Sequence, residues 1–159
     1  MSEKKVKNAK TYSNVCNKDF IDVRGPRFGG GITFIVLAIA LIANPSLLTE
    51  ALVAWQAIVF AIGAFAGVHV QPYGVLYRKV IQPRLGPVKE RESTKPPRFA
   101  QGVGLIFTVV ALFGVAAGAT AVTTVALAFA LGAAFLQTAF GFCLGCELYL
   151  IGKRVLVRA

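Results

Sequence analysis

The chain has 159 residues, of which 56% are hydrophobic and 15% charged, and its formal net charge is +10. Soluble domains carry about 25% charged residues, so this composition excludes an ordinary soluble globular protein. The Lys and Arg residues lie in three short segments, and the intervals 28–77 and 99–152 contain none. The positive charge therefore flanks apolar stretches, where it suits anionic lipid headgroups, and we do not expect a nucleic-acid partner.

The distribution of the cations also predicts the topology. They fall within 4–27, 78–98 and 153–158, and a cation excess beside spanning helices is retained in the cytoplasm. We therefore expect an integral membrane protein that is embedded in the lipid bilayer. Its two termini and its central loop should be cytoplasmic. Residues 1–27 are interpreted as a basic cytoplasmic tail, because they lack the apolar stretch of a secretory signal.

Four apolar stretches are long enough to cross hydrocarbon, which takes about 20 residues. Their predicted bounds are 30–48, 52–70, 102–121 and a fourth beginning near 122. Asn44-Pro45 ends or kinks the first span, since proline lacks the donor that a continuing helix needs. The fourth stretch is about ten residues too long for one crossing. We therefore predict a chain reversal at Gly141, followed by a separate short helix at the cytoplasmic interface.

The central loop divides into a helical and an irregular segment. Residues 73–82 place apolar side chains beside Arg78 and Lys79, which predicts an amphipathic helix lying at the membrane surface. Residues 86–97 combine charge with prolines, which predicts an irregular connector.

The two halves of the chain resemble each other. Pro26-Arg27-Phe28 opens the first span, and Pro97-Arg98-Phe99 opens the third, 71 residues later. The sequence thus predicts an all-α fold of four transmembrane helices, arranged as two parallel two-helix repeats that each end in a short interfacial helix. The corresponding division is a tail at 1–27, a first repeat at 28–82, a connector at 83–97 and a second repeat at 98–159.

Two GxxxG motifs lie in the second and third spans, formed by Gly63 with Gly67 and by Gly114 with Gly118. Small residues at this spacing let helix backbones approach closely in lipid. They predict close packing, either among the four spans or between copies in a homo-oligomer.

Two of the three cysteines form a CxxC motif, Cys143-Leu-Gly-Cys146. At the start of the predicted final helix, the helix dipole and unpaired backbone amides favour the thiolate, so Cys143 is the expected nucleophile. The two-residue spacer lets Cys146 resolve a mixed disulfide, and a permanent structural disulfide is not expected in a reducing cytoplasm. The neighbouring Glu147 opposes thiolate formation if it points at the sulfurs, or else it accepts a proton or caps the helix. Plain packing and metal ligation remain alternatives for the pair.

A metal site is the alternative that uses the remaining candidate ligands. Cys16 and the single histidine, His69, are both predicted on the cytoplasmic side. With Cys143 and Cys146 they would make a Cys3His set, which suits zinc. The topology brings the four to one membrane face without bringing them within bonding distance. His69 is instead interpreted as an interfacial residue bonded to water or headgroups, in preference to a metal ligand, and no cofactor is predicted.

Five segments of the chain stand out together: Arg24-Gly-Pro-Arg-Phe28, Pro72-Tyr-Gly, Pro83-Arg-Leu-Gly-Pro87, Pro97-Arg-Phe-Ala and, most specifically, Gly141-Phe-Cys-Leu-Gly-Cys-Glu147. This set resembles a known family, the small bacterial membrane proteins of "domain of unknown function 4395". The resemblance covers roughly residues 19–153. It implies a bacterial inner (plasma) membrane protein and places Cys143 and Cys146 in a family signature. It implies no established activity, because the family is named for lacking one.

Three functional hypotheses follow from these observations. The first is a cytoplasm-facing dithiol that exchanges disulfides or persulfides with a cytoplasmic thiol or sulfur-transfer protein through Cys143 and Cys146. The second is a small oligomeric transporter of a sulfur compound or ion. The third is a non-catalytic subunit of a membrane complex.

Overall fold

The structure is a computed structural model that describes residues 20–86 and 91–158. In chain order its elements are β1 Phe20–Asp22, α1 Arg24–Ile42, α2 Leu47–Ala61 with a π-helical extension Ile62–Ala66, α3 Pro72–Leu76 with a π-helical extension Tyr77–Ile81, α4 Gln82–Leu85, β2 Arg91–Ser93, α5 Lys95–Ala116, α6 Thr120–Ala139 and α7 Leu144–Arg158. Within these residues α1, extended α2, α5 and α6 are long and apolar enough to span a membrane. The predicted all-α multi-pass membrane fold is confirmed.

The four spanning helices form a ring in which each helix packs against two neighbours, in the order α1, α2, α5, α6. Small side chains let the backbones approach closely at the centre of this ring. The buried cluster there consists of Leu37, Ala40, Val53, Ala111, Ala126, Leu127 and Ala130. Large apolar side chains such as Phe113 and Phe129 are instead exposed on the outside of the ring. This distribution suits a bundle whose outer surface is solvated by lipid.

The spans begin earlier than hydropathy alone predicts. The first and third helices start at Arg24 and Lys95 rather than at 30 and 102. Their basic, proline-containing segments form the first helical turns, where proline costs little because its missing N–H would be unpaired anyway. Asn44-Pro45 does end the first span, and the next helix starts at Leu47.

A two-stranded ribbon was not predicted. β1 and β2 pair antiparallel, with Phe20 opposite Ser93 and Asp22 opposite Arg91. The segment expected to be an irregular connector therefore contains a strand, and its last residues already belong to α5. Three-residue strands are too short to leave a periodic hydrophobic signal, which is why the sequence did not reveal them.

The helical segment 72–85 is tied to the start of α1. The Tyr77 hydroxyl donates to Asp22 Oδ2 at 2.9 Å, while Asp22 Oδ1 accepts from the Arg24 amide at 3.1 Å. Burial first, and then the bond to Asp22, raise the pKa of Tyr77 to about 12. A helical segment is therefore present where the interfacial helix was predicted, and a buried phenol ties it to the start of α1.

The predicted repeat is visible in matched contacts. Phe28 packs on Tyr77 with ring centroids 5.8 Å apart, and Phe99 packs on Tyr149 at the same separation. At the opposite end of the bundle the pattern continues in two helix-to-helix hydrogen bonds. Those bonds are Thr49 Oγ1 to the Ala40 carbonyl at 2.9 Å and Thr123 Oγ1 to the Ala111 carbonyl at 3.3 Å. Each repeat thus joins its spans and its trailing helix through the same kinds of contact.

The two GxxxG motifs are only partly packing motifs. A Cβ on Gly63 would lie 2.9 Å from the Gln101 side chain, and one on Gly114 would lie 2.5 Å from Thr123 Oγ1, so both glycines allow close helix contact. Gly67 and Gly118 have positive φ angles of 107° and 66°, and a Cβ there would meet no atom within 4 Å. These two glycines end helices, because a positive φ favours glycine over other residues.

The most deeply buried polar side chains hold helices together. Gln56 donates to Thr33 Oγ1 at 3.2 Å and accepts from the Tyr73 hydroxyl at 3.1 Å, and Trp55 donates to that hydroxyl at 3.1 Å. Among the described residues no buried side-chain nitrogen or oxygen lacks a hydrogen-bond partner. Burying polar groups in hydrocarbon is tolerated only when they are paired in this way. The chain therefore uses these groups as structural links.

Candidate functional site

The CxxC segment follows a sharp turn at the end of α6. Gly141 has a φ of 66°, and the Phe142 amide reaches back to the Leu136 carbonyl at 3.2 Å. This left-handed residue ends the helix and reverses the chain, as predicted from the sequence. The new helix α7 begins at Leu144, directly after the first cysteine.

Cys143 occupies the position that caps α7. Its sulfur accepts a hydrogen bond from the Cys146 amide at 3.2 Å, and its carbonyl accepts from the Glu147 amide at 3.0 Å. The first amides of a helix lack partners within the helix, and they carry its positive partial charge. In the reduced form of the pair, this donor and the helix dipole would both favour a thiolate at Cys143.

The two cysteines are joined in a disulfide, with their Cα atoms 5.1 Å apart. The site is thus described in its oxidised form. The two sulfur-bearing residues differ in access, because Cys143 is partly exposed whereas Cys146 is only 8% exposed. A bulky reagent or partner can approach Cys143 more readily than Cys146.

Gly145, between the cysteines, seats the motif against the start of α5. A Cβ on Gly145 would lie 2.6 Å from the Cα and Cβ atoms of Ala100, which is closer than real atoms approach. The contact between Phe99 and Tyr149 supports the same interface one turn further along α7. The glycine of the motif is therefore required for docking the helix against α5.

A guanidinium group lies beside the turn that carries the motif. The Nε, Cζ and Cδ atoms of Arg27 lie 3.4, 3.5 and 3.6 Å from the position of a Cβ on Gly141, two residues before Cys143. Glu147, the acidic neighbour of the pair, is exposed. A cationic side chain therefore contacts the turn before the motif, and an acidic residue follows the second cysteine in the sequence.

The zinc alternative gains no geometric support. Within residues 20–86 and 91–158 no three His, Cys, Asp or Glu side chains gather as a metal site would require. His69 is therefore not grouped with the cysteine pair, and its carbonyl accepts a hydrogen bond from Arg78. Cys16 lies outside the described residues. Disulfide-bonded cysteines also lack the thiolates that a metal binds.

Sequence reasoning identified both cysteines and the turn, but it missed Gly145 and Arg27. Gly145 could not be recognised because its role depends on Ala100, which lies far away in the sequence. Arg27 did leave a signal, since Pro-Arg-Phe occurs once in each repeat. That repetition was interpreted as a mark of duplication only, although it also marks an arginine that reaches the other repeat.

Comparison with known proteins agrees with this architecture. The family described as "Domain of unknown function (DUF4395)" matches residues 21–154, which include all four spans and most of the CxxC helix. The chain belongs to this family. No curated protein and no solved structure matches the chain.

Proposed function

We propose that this member of the family is a membrane-embedded thiol–disulfide exchange protein in which Cys143 attacks and Cys146 resolves. The observation that carries the proposal is the asymmetry of the pair. Cys143 is partly exposed, and its sulfur accepts a hydrogen bond from the Cys146 amide at 3.2 Å, whereas Cys146 is only 8% exposed. An accessible, helix-capping thiolate is the kind of group that starts an exchange reaction.

The proposed exchange proceeds in two steps. The Cys143 thiolate attacks one sulfur of a partner disulfide, a new S–S bond forms, and the other partner sulfur leaves as a thiolate. Cys146 then loses its proton and attacks Cys143 Sγ, which forms the internal disulfide and releases the second partner thiolate. Overall, the partner gains two electrons and its two thiolates take up two protons. The CxxC dithiol loses two electrons and two protons, one from Cys143 when its thiolate forms and one from Cys146.

A persulfide partner suits the same pair. Cys143 would take the outer sulfur of the persulfide and release the partner as a thiolate. Attack of Cys146 on Cys143 Sγ would then release hydrosulfide and form the internal disulfide. In both cases we place the reaction in the cytoplasm, because the cations that flank the spans favour that side for α7.

The proposal can be tested with the reduced protein in nanodiscs and 5,5′-dithiobis(2-nitrobenzoate) as the disulfide. All variants carry Cys16→Ser, so that only the CxxC thiols react. We expect the protein with both CxxC cysteines to release two thionitrobenzoate ions and to end as an internal disulfide. Cys146→Ser should release one ion and retain the other as an adduct on Cys143, whereas Cys143→Ser should react slowly.

Equal rates for the two single-cysteine variants would contradict the assigned roles. Release of one ion by the intact pair, with a stable adduct, would contradict resolution by Cys146. Either result would favour the alternative in which the cysteines serve only to pack α7.

A further inference from the structure

Arg27 and Arg98 occupy equivalent places in the two repeats, but they have different surroundings. Each arginine lies in the first turns of its repeat and reaches the end of a helix in the other repeat. Arg98 donates to the carbonyls of Ala64 at 3.1 Å and Phe65 at 3.0 Å. Its guanidinium is thus occupied in capping the π-helical end of α2.

Arg27 reaches the corresponding place after α6, which is the turn at Gly141. Its guanidinium lies against that glycine, since a Cβ added to Gly141 would lie 3.4 Å from Arg27 Nε. Within residues 20–86 and 91–158 the Arg27 side chain forms no hydrogen bond or ion pair. Gly141 lies two residues before Cys143, and two residues of extended chain span at most about 7 Å, so the turn that Arg27 contacts is the one that leads into the CxxC motif.

We propose that Arg27 is a positioning residue for the exchange reaction, which fixes the Gly141 turn and places a positive charge beside the Cys143 thiolate. The first repeat would then supply part of the site that the second repeat carries. The inference rests on the proposed function, because it assigns a role to Arg27 in that same reaction. A cation close to a cysteine favours the thiolate over the thiol.

The other charged groups around Cys143 act differently. Glu147 on the same helix would disfavour the thiolate if its carboxylate faced the sulfur. Both Glu147 and Arg27 are exposed, so salt weakens the effect of each charge. On α5, Arg98 is bonded to the end of α2, and Lys95 is exposed at the first residue of that helix. Arg24 of α1 lies one turn before Arg27. Arg27 is the cation that contacts the Gly141 turn, two residues before Cys143.

The test measures the pH dependence of Cys143 alkylation by iodoacetamide in full-length, reduced protein in nanodiscs, with Cys16→Ser and Cys146→Ser in every variant. Arg27→Gln should move the half-maximal rate to higher pH and slow alkylation at pH 7 by about 3- to 10-fold, since less thiolate is present. Arg27→Lys should retain most of the rate. Arg98→Gln is the matched control from the other repeat, and it should leave the pH profile unchanged.

A second measurement needs no substitution at Arg27. Raising the ionic strength should slow alkylation of the parent protein at pH 7, because salt screens the attraction between guanidinium and thiolate. A salt-independent rate, or an Arg27→Gln profile that coincides with the parent profile, would overturn the inference. The proposed function fails separately, if Cys146→Ser does not retain thionitrobenzoate on Cys143 even when Arg27 is present.

Discussion

At the scale of single residues, the site depends on one glycine that carries no chemistry. Gly145 lets α7 dock so closely on Ala100 that a Cβ would lie 2.6 Å from two of its atoms. The interface involves the backbone of α5, which cannot move aside as a flexible side chain would. The positions of both sulfurs therefore depend on the absence of a side chain between them.

Gly145→Ala should destabilise the protein by about 1–3 kcal/mol, the usual cost of overpacking a close contact. Gly152→Ala is the control in the same helix, because a Cβ there meets no atom within 4 Å. That change should be neutral or stabilising by up to about 1 kcal/mol, since alanine is the better helix former. Thermal unfolding in one detergent compares the two variants, and equal stabilities would contradict the described docking of α7.

Tyr77 makes a pH-dependent contribution to stability through its bond to Asp22. Its folded-state pKa is raised from 10.0 to about 12, so folding favours the neutral phenol. The stabilisation of the folded state by the neutral Tyr77 phenol is therefore fully present below pH 10, and it is lost as the pH rises through 12. We expect part of the alkaline loss of stability to arise from this residue.

Tyr77→Phe should lose about 1 kcal/mol at neutral pH, because the hydrogen bond to Asp22 is removed. Between pH 10 and 12 the stability of the variant should fall less steeply than that of the parent protein. Chemical unfolding at several pH values measures both effects. Parallel stability curves for the two proteins across this interval would show that the phenol does not contribute.

At the scale of elements, the turn between α6 and α7 decides where the cysteines lie. The final apolar stretch could continue as one helix, and Gly141 prevents this with its φ of 66°. The helix that follows is amphipathic, with Leu148 and Ile151 exposed close to Lys153 and Arg154. Binding of this face to anionic lipid remains a prediction from its charge.

Gly141→Leu should extend α6 and move Cys143 from its capping position. Leucine favours straight helix and disfavours a positive φ, and its Cβ would also lie 3.4 Å from Arg27 Nε. We expect a lower labelling rate of reduced Cys143 by a membrane-impermeant maleimide in inverted vesicles. Gly132→Leu, where a Cβ meets no atom within 4 Å, should label like the parent. Unchanged labelling of the Gly141 variant would remove the case for this turn as the determinant.

At the scale of the whole molecule, the sequence predicted the features that follow from apolar length and repeated motifs. The four spans, the duplication and the reversal at Gly141 could be predicted because they depend on composition and on single special residues. The helix starts were placed too late, since the basic first turns of α1 and α5 look like loops when hydropathy is the guide. The ribbon, the docking of Gly145 and the reach of Arg27 could not be predicted, because each depends on a partner distant in sequence.

The orientation of the bundle remains a prediction from the charge distribution. Both termini and the loop near Lys89 should lie in the cytoplasm, because every Lys and Arg lies in or beside these segments. Fusions of a reporter that is active only outside the cytoplasm, placed at each of the three positions, should all be inactive. Strong activity at any one of them would contradict the orientation.

The central claim is that Cys143 and Cys146 interconvert between dithiol and disulfide through an adduct on Cys143. Its most direct test equilibrates the full-length Cys16→Ser protein in nanodiscs with mixtures of reduced and oxidised glutathione, followed by rapid alkylation and intact-mass measurement. We predict two species, the dithiol and the internal disulfide, whose proportions shift reversibly with the mixture. Cys146→Ser should instead accumulate a glutathione adduct on Cys143, and Cys143→Ser should form little. A pair whose redox state does not respond to glutathione, or an adduct that forms equally on Cys146, would contradict the account.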